Sequence, residues 1–568
     1  MTSKQDIERA PWCIMYNDDA FFSKGGEIFG RRAAGTSYLR AIAQQDYKEA
    51  GVLVRNTYEK NNFVNLFTPF IKEKDSIDVK IIPWTSPQLS DEFGGIFIGD
   101  PQLGNYSVLR SKFGHDSYSI VGITHTTLTQ RIHEFINDIH TKPVKEWDAL
   151  ICTSRCVRDS IEIILSNGEE ILRDRLGAKK FIRPELPIIP LGVHMEDYNH
   201  KEEEKYKFRE NIGASKDDII IIFVGRLSFH SKAHHFPMYK SLQKLTKDLD
   251  EGRSIHLIQV GWFANDYIGD IMKKEVDMIC PDVKCHFIDG LDQDLKNLSL
   301  ASADIFLSLV DNFQETFGLT PLEGMAAGIP AVVSDWNGYR DTVRNGLDGF
   351  TVPTVTLDKG NGQDLLYHYY AQVINYDQFL AYSSQTVSID IQSCINSLSE
   401  LILNESIRKK MSKSAKKRAE TEFSWDKIMI QYCDLRDHLN KKRSTKRDKS
   451  TYNYMEGYDP YKLFASYPST VLKDSSLIKS NVDKPLDKEH YIFTSLSINV
   501  STDMNRTNAE DMGLTLNIGE VNQILDLLGD KILTLKEISG RLDISSQKIQ
   551  RTIIMMMKFD IIDLVMDN

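Results

Sequence analysis

Thirteen apolar runs of strand length, separated by helix-length amphipathic segments and turns, leave this chain few folds to choose from. The first seven are PWCIMYN (11–17), GVLVRN (51–56), VKIIPW (79–84), GGIFIGD (94–100), YSIVGIT (118–124), ALICTS (149–154) and PIIPLG (187–192). Six more follow: IIIIFVGR (219–226), IHLIQVG (255–261), VKCHFIDG (283–290), IFLSLV (305–310), PAVVSD (330–335) and GFTVP (349–353). Strands that alternate with helices form parallel sheets covered by helices on both faces. Two successive series predict two Rossmann-like, doubly wound α/β domains, residues 1–195 and 196–405, with the polar stretch KEEEKYKFRE (201–210) as a surface helix after the junction. Open parallel sheets bind ligands beyond the carboxyl ends of their strands, so the expected site is the cleft that the two domains face. His125, Arg226, Gly261 and Glu315 each fall just after a strand-like run.

Outside the two series the sequence changes character. Residues 354–385 are a tyrosine-rich insertion (Tyr367, Tyr369, Tyr370, Tyr376, Tyr382), read as one amphipathic helix packed on the second domain, or as a lid that touches an acceptor. Residues 406–440 are expected to return as helices onto the first domain. Residues 441–518 start in the basic stretch LNKKRSTKRDKS (439–450), a solvated tether or a contact for anionic lipid. Residues 519–568 have the rhythm of a small winged-helix-like module. Its second helix carries Lys548 and Arg551, but Asp543, Asp560, Asp563 and Asp567 crowd it, so it reads as a surface for a protein partner or self-association rather than for DNA.

Composition narrows the function classes. A net charge of −11 argues against a dedicated nucleic-acid binder. Seven dispersed cysteines (13, 152, 156, 280, 285, 394, 433) with no CxxC pair fit reduced thiols better than a disulfide framework or a zinc site. The charged N-terminus lacks an apolar signal segment, and no run reaches the ~18 apolar residues a bilayer span needs. A cytoplasmic protein, at most peripheral to the inner membrane, is expected.

The chemistry concentrates in ETFGLTPLEGMAAGIPAVVSD (315–335). Thr320-Pro321-Leu322-Glu323 fits a capping box, with Thr320 as N-cap, Pro321 at the first helical position and Glu323 at the third. Glu323 therefore has a structural explanation. Glu315 precedes the turn, where capping offers it nothing, and should project into the cleft. The amides of Phe317, Gly318, Leu319 and Thr320 would form a helix N-terminus suited to phosphate. At the first strand end of the second series, Arg226 and Lys232 supply a bidentate guanidinium and a flexible ammonium, a pair suited to diphosphate without a metal. Taken singly, each is an ordinary surface cation. His230, His234 and His235 surround Lys232, but no carboxylate in the sequence completes a metal site, and none is expected.

Together these segments resemble the retaining GT-B-fold glycosyltransferases of glycosyltransferase family 4, the glycosyl transferases group 1. IIPLGVHMEDY (188–198) is similar to the family's interdomain signature, IIIIFVGRLSFHSK (219–232) to its GR-L…K motif, and 303–335 to its E-x7-E block. GYRDTVRNGLDGFTVP (338–353) and EFSW (422–425) resemble the following strand and the return helix, so the likeness covers roughly 10–440. LIQVGW (257–262) departs from the family's usual glycine pair, with Trp262 in place of the second glycine.

The resemblance implies a nucleotide-diphosphate sugar as co-substrate, no other cofactor and no metal. It implies that Arg226 and Lys232 bind the diphosphate, Glu323 the ribose hydroxyls and Glu315 the transferred sugar, with Gly318, Leu319 and Thr320 near sugar and phosphate. In the first domain it points to Gly30, Ala34 and Gly35, with Gly25-Gly26 as the rival placement, and to His125 beside the donor sugar. The acceptor would be a saccharide, lipid-linked or protein hydroxyl, in bacterial surface polysaccharide or glycoconjugate synthesis. A GT-B-fold epimerase or phosphorylase, or a silent sugar-nucleotide-binding assembly protein, are the alternatives.

Overall fold

A computed structural model describes residues 9–21, 30–71, 77–446, 448, 452–494 and 517–565. The chain divides into two compact units, one of Met1–Val54 with Phe63–Met455, the other of Arg55–Asn62 with Glu456–Asn568.

The first unit holds two parallel six-stranded sheets. One comprises β1 (Cys13–Met15), β2 (Glu49–Val54), β3 (Asp78–Pro83), β4 (Gly95–Phe97), β5 (Ser119–Ile123) and β6 (Ala149–Ile151), in the order β3-β2-β1-β4-β5-β6. The other comprises β7 (Ile219–Val224), β8 (Ile255–Gly261), β9 (Lys284–Asp289), β10 (Ile305–Ser308), β11 (Ala331–Ser334) and β12 (Gly349–Val352), in the order β12-β11-β10-β7-β8-β9. Each is the doubly wound Rossmann order, which reverses beside its first strand and leaves a crevice there, between β1 and β4 and between β7 and β10. The sequence of β7 shows why such strands need two covers. Ile219, Ile221 and Phe223 enter one core while Ile220, Ile222 and Val224 enter another. All six are buried, and each fully buried Ile or Val contributes about 1.5–3 kcal/mol.

The expected strand at 187–192 is absent; this stretch makes only isolated bridges such as Cys152 to Ile188. Pro187 and Pro190 lack the N–H groups a ladder requires. The helix Trp425–Lys446 returns to the first sheet and buries Trp425, Ile428, Tyr432 and Leu439 in its core. It also absorbs the start of the expected tether. Lys442 pairs with Glu185, Arg443 with Asp91 and Lys446 with Glu146, so these cations are engaged within the unit. The insertion is not one helix. After β13 (Thr354–Val355), which pairs with β14 (Ser388–Ile389), come the helices Gln363–Tyr370, which buries nothing, and Tyr376–Ser384, which buries Phe379 and Leu380.

In the second unit β15 (Leu477–Ser480) is the middle strand between β16 (Leu533–Thr534) and β17 (Ile562–Leu564), antiparallel to both. The helices Ile518–Leu528, Leu535–Ser539 and Ser546–Lys558 complete it around Ile478, Ile524, Ile538, Ile549 and Met556. The central strand therefore comes from the segment expected to be a linker. Among the described residues no helix is long and apolar enough to cross a membrane.

Candidate functional site

The crevice between β7 and β10 gathers most of the predicted residues. Past Val224 the chain turns at Gly225 (φ +147°), whose carbonyl lies 1.9 Å from where a Cβ on Gly261 would sit. That close approach requires glycine at 261 and needs nothing from Trp262, whose carbonyl accepts from the Leu227 amide at 2.9 Å. Arg226 donates to Ser231 Oγ at 3.4 Å, and Lys232 reaches into the crevice.

Past β10, Asn312 organises the facing loop. Its Oδ1 accepts from the amides of Gln314 and Glu315, both at 3.0 Å, and its Nδ2 donates to the Lys232 carbonyl at 2.5 Å. Lys232 Nζ then donates to Glu315 Oε2 at 2.5 Å. Burial alone would lower the Lys232 pKa and raise that of Glu315. Their mutual attraction reverses both, holding Lys232 above and Glu315 below its ordinary range.

The capping role expected of Glu323 falls to Glu315. Glu315 Oε1 accepts from the amides of Gly318 at 3.1 Å and Thr316 at 3.3 Å, so Glu315 closes the turn that starts the helix Leu319–Ala327. Gly318 is the N-cap, at φ +82°, and the Tyr339 ring stands 1.9 Å from where its Cβ would be. Leu319 and Thr320 therefore lie inside the helix, and the Thr320–Glu323 capping box does not form. Glu323 is buried and accepts from Lys296 Nζ at 2.9 Å. Phe317 is buried in the core, and the Gly318 amide is occupied by Glu315, which limits what that helix end offers an anion.

On the first sheet, Ala34, Gly35, Arg31 and His125 line a small cavity beyond β4 and β5. Gly35 is fixed by contact, since its Cβ would lie 2.1 Å from the Ala20 carbonyl, whereas Gly30 starts the helix Gly30–Gln44 in open space. Gly25 and Gly26 lie outside the described residues. Burial, aided by Arg31, pushes His125 down to about 4, so it is neutral at physiological pH. Arg31 Nε donates to the Gly99 carbonyl at 3.2 Å.

One residue of the Glu315 turn bonds twice to the first sheet domain. Thr316 Oγ1 donates to the His125 carbonyl at 3.0 Å, and the Thr316 carbonyl accepts from Ser154 Oγ at 2.6 Å. The insertion reaches the same place, with the Tyr376 hydroxyl donating to Gln314 Oε1 at 3.1 Å and Tyr370 bonded to His133. The histidines around Lys232 have other tasks. His235 bonds Glu275, His230 bonds Ser228, and His234 Nδ1 accepts from the Phe236 amide. Glu315 and Thr316 also line a cavity of about 470 Å³.

Asn312, Thr316, Lys296 and Arg31 were not singled out by sequence. Asn312 alone left a signal, an Asn three residues before a Glu at a strand end, where Asn side chains commonly bond nearby amides.

Residues 204–359 match the family model described as glycosyl transferases group 1. An uncharacterized glycosyltransferase of Methanocaldococcus jannaschii is 30% identical over 156 residues, which are 28% of this chain and 37% of that protein. A GDP-mannose-dependent alpha-(1-6)-phosphatidylinositol dimannoside mannosyltransferase of Mycobacterium tuberculosis is 26% identical over 218 residues, 36% of this chain and 45% of that protein. The chain thus spans less than half of either relative. The structure of sucrose-phosphate synthase from Thermosynechococcus elongatus is 15% identical with a TM-score of 0.47, over 76% of this chain and all of that one. That of Anabaena HepE in complex with UDP and glucose is 13% identical with a TM-score of 0.48, over 75% of this chain and all of that one. The matched residues 204–359 hold all six strands of the second sheet, so the likeness to the glycosyl transferases group 1 falls on that domain.

Proposed function

We propose that the protein transfers a sugar, with retention at the anomeric carbon, from a nucleotide-diphosphate sugar to an acceptor hydroxyl. The observation that carries this reading is the Lys232–Glu315 pair at 2.5 Å in the β7/β10 crevice, with Arg226 on the same loop as Lys232. A diphosphate entering there would meet Arg226 and Lys232, and drawing Lys232 onto phosphate would free Glu315 Oε2 for a sugar hydroxyl. As the glycosidic C–O bond breaks, its electron pair goes to the departing phosphate oxygen. The two cations stabilise that charge in a partly dehydrated crevice, the setting in which fixed charges contribute most to rate. The acceptor oxygen attacks the same face of the sugar and gives its proton to the leaving phosphate. Glu315 and the neutral His125 position the sugar rather than act as nucleophiles, and Glu323 with Lys296 forms the nucleoside end of the site. No metal takes part in this scheme, the two cations filling that role.

A panel of UDP-, GDP- and ADP-sugars tests it, scoring binding and slow donor hydrolysis. One donor should bind, and Arg226→Ala with Lys232→Ala should weaken it by about a hundredfold or more, the loss of two charge-assisted contacts of about 1.5–3 kcal/mol each. If no nucleotide sugar binds, or the double variant binds as well as wild type, the donor site is misplaced. An inverted product by NMR would refute retention.

A further inference from the structure

The cavity of about 470 Å³ beside Glu315 and Thr316 runs on into a second of about 500 Å³, the two sharing Cys156, Asp335, Asn337 and Arg340. Together they form a groove leading away from the proposed sugar-transfer point. Resting on the donor-site reading above, we infer that this groove holds an oligosaccharide acceptor of two or more residues, seated on Trp336 with its terminal hydroxyl at Glu315.

Three observations carry the inference. The first is an aromatic platform: Phe313 and Trp336 meet edge to face, 5.2 Å between ring centres at 78°, and Phe313 is 38% exposed. Aromatic faces beside open volume suit the C–H face of a pyranose, which combines apolar contact with a polar rim.

The second is that the platform is fixed to the reacting end. Trp336 Nε1 donates at 2.9 Å to the carbonyl of Asn312, whose side chain holds the Glu315 amide. Two residues on, a Cβ at Gly338 would lie 2.4 Å from the Thr316 carbonyl, so the Trp336 loop is pressed against the Glu315 turn. Between them Asn337 keeps a left-handed φ of +43°, a conformation that a non-glycine residue holds at some cost and that gathers at ligand sites.

The third is the charge and polarity of the walls. Arg340 pairs with Asp335 at 3.1 Å, Arg155 with Asp341 at 2.5 Å and Arg344 with Asp348 at 2.7 Å. The groove's guanidinium groups are already matched by carboxylates, which suits a neutral, hydroxyl-rich ligand better than a phosphorylated headgroup. Its aliphatic lining is confined to Val157 and Val343, too little to cover a lipid chain. Ligand pockets of about 300–1,000 Å³ take molecules larger than one hexose, so the combined groove calls for more than a single sugar.

The test titrates methyl glycosides, disaccharides and trisaccharides of mannose, glucose and galactose into the full chain, with and without saturating UDP or GDP, by calorimetry and saturation-transfer NMR. In one series the trisaccharide should bind about tenfold tighter than the methyl glycoside, a gain of about 1.4 kcal/mol. Trp336→Ala should erase that gain, while Trp336→Phe keeps most of it. Nucleotide binding by each variant shows that it is folded. Equal affinity at every chain length, no binding by any series, or a gain that survives Trp336→Ala overturns the inference. Oligosaccharide binding that depends on Trp336 without any nucleotide binding would instead uphold the groove and refute the donor-site reading.

Discussion

Replacing Glu315 tests the site at its most loaded contact. Its carboxylate has three partners: Lys232 at 2.5 Å on one oxygen, and the Gly318 and Thr316 amides on the other. The side chains of Lys232 and Glu315 are only 16% and 17% exposed, so removing one charge strands the other away from water. Breaking a buried pair in this way costs about 3–5 kcal/mol, and with this residual exposure the low end applies. Glu315→Gln keeps an oxygen for the two amides and should cost about 3 kcal/mol; Glu315→Ala loses that acceptor too and should cost about 2 kcal/mol more. Lys232→Met should again cost about 3 kcal/mol, yet Glu315→Gln with Lys232→Met leaves no stranded charge and should cost about 3 rather than about 6 kcal/mol. A chain of several domains need not unfold in one step, so the readout is native-state hydrogen exchange of β7 and β10 peptides in urea. There about 3 kcal/mol appears as roughly a hundredfold loss of protection. If the single losses simply add, the pair carries no coupling in solution and the derivation fails.

Two further outcomes follow from the same reasoning elsewhere in the first unit. Arg110 and Asp148 are both fully buried, and Asp148 accepts from Arg110 at 2.5 and 2.8 Å, from the Ile120 amide at 2.9 Å and from the Lys145 amide at 2.8 Å. Asp148→Asn should therefore lower the protection of β5 and β6 peptides by about 3–5 kcal/mol, and a change below about 1 kcal/mol would contradict the fourfold role. His256, fully buried, is pushed down to about 4 by burial and then by Lys284 and His286, with Asp218 opposing. Because its folded value lies below its ordinary one, the unfolded chain takes up the proton first. Its contribution is intact above about pH 6.5 and is lost as pH falls toward 4, by at most about 3 kcal/mol. His256→Gln should flatten the pH dependence of the protection factors of β8 peptides across that window, and an unchanged slope there would contradict the assignment.

The two-sheet architecture was legible because a strand buried on both faces has to be apolar at every position. IIIIFV (219–224) is such a strand, and all six of its residues enter one core or the other. Where the pattern misled, a backbone constraint outweighed hydropathy. PIIPLG (187–192) is apolar enough for a strand, but its two prolines leave only isolated bridges. The basic stretch at 439–450 looked coreless because its charges have no visible partners in sequence. Glu185, Asp91 and Glu146 are 257, 352 and 300 residues away from Lys442, Arg443 and Lys446. A partner at that separation leaves no local trace. The central strand β15 was missed for a related reason, since only its pairing with β16 and β17 gives its four residues a sheet to join.

Two capping boxes show what remained illegible at the site. Thr534-Leu-Lys-Glu537 and Thr320-Pro-Leu-Glu323 share the same spacing, and the first forms, with Thr534 Oγ1 accepting from the Glu537 amide at 3.2 Å and Glu537 accepting back at 2.8 Å. The second does not, because the helix has already begun at Leu319 behind the left-handed Gly318. What moves the start is Glu315, whose carboxylate takes the Gly318 amide before Thr320 can act as a cap. That carboxylate is held there by Lys232, 83 residues away on another strand's loop. Local spacing could identify both glutamates but could not apportion their roles, because the choice is made by a buried charge from outside the motif. Glu323, released from capping, turns instead to Lys296. The turn that starts the helix is thus built on the same carboxylate that the proposed chemistry uses, with the labour divided between its oxygens: the amides hold Oε1, so a ligand that draws Lys232 from Oε2 leaves the cap's own acceptor in place.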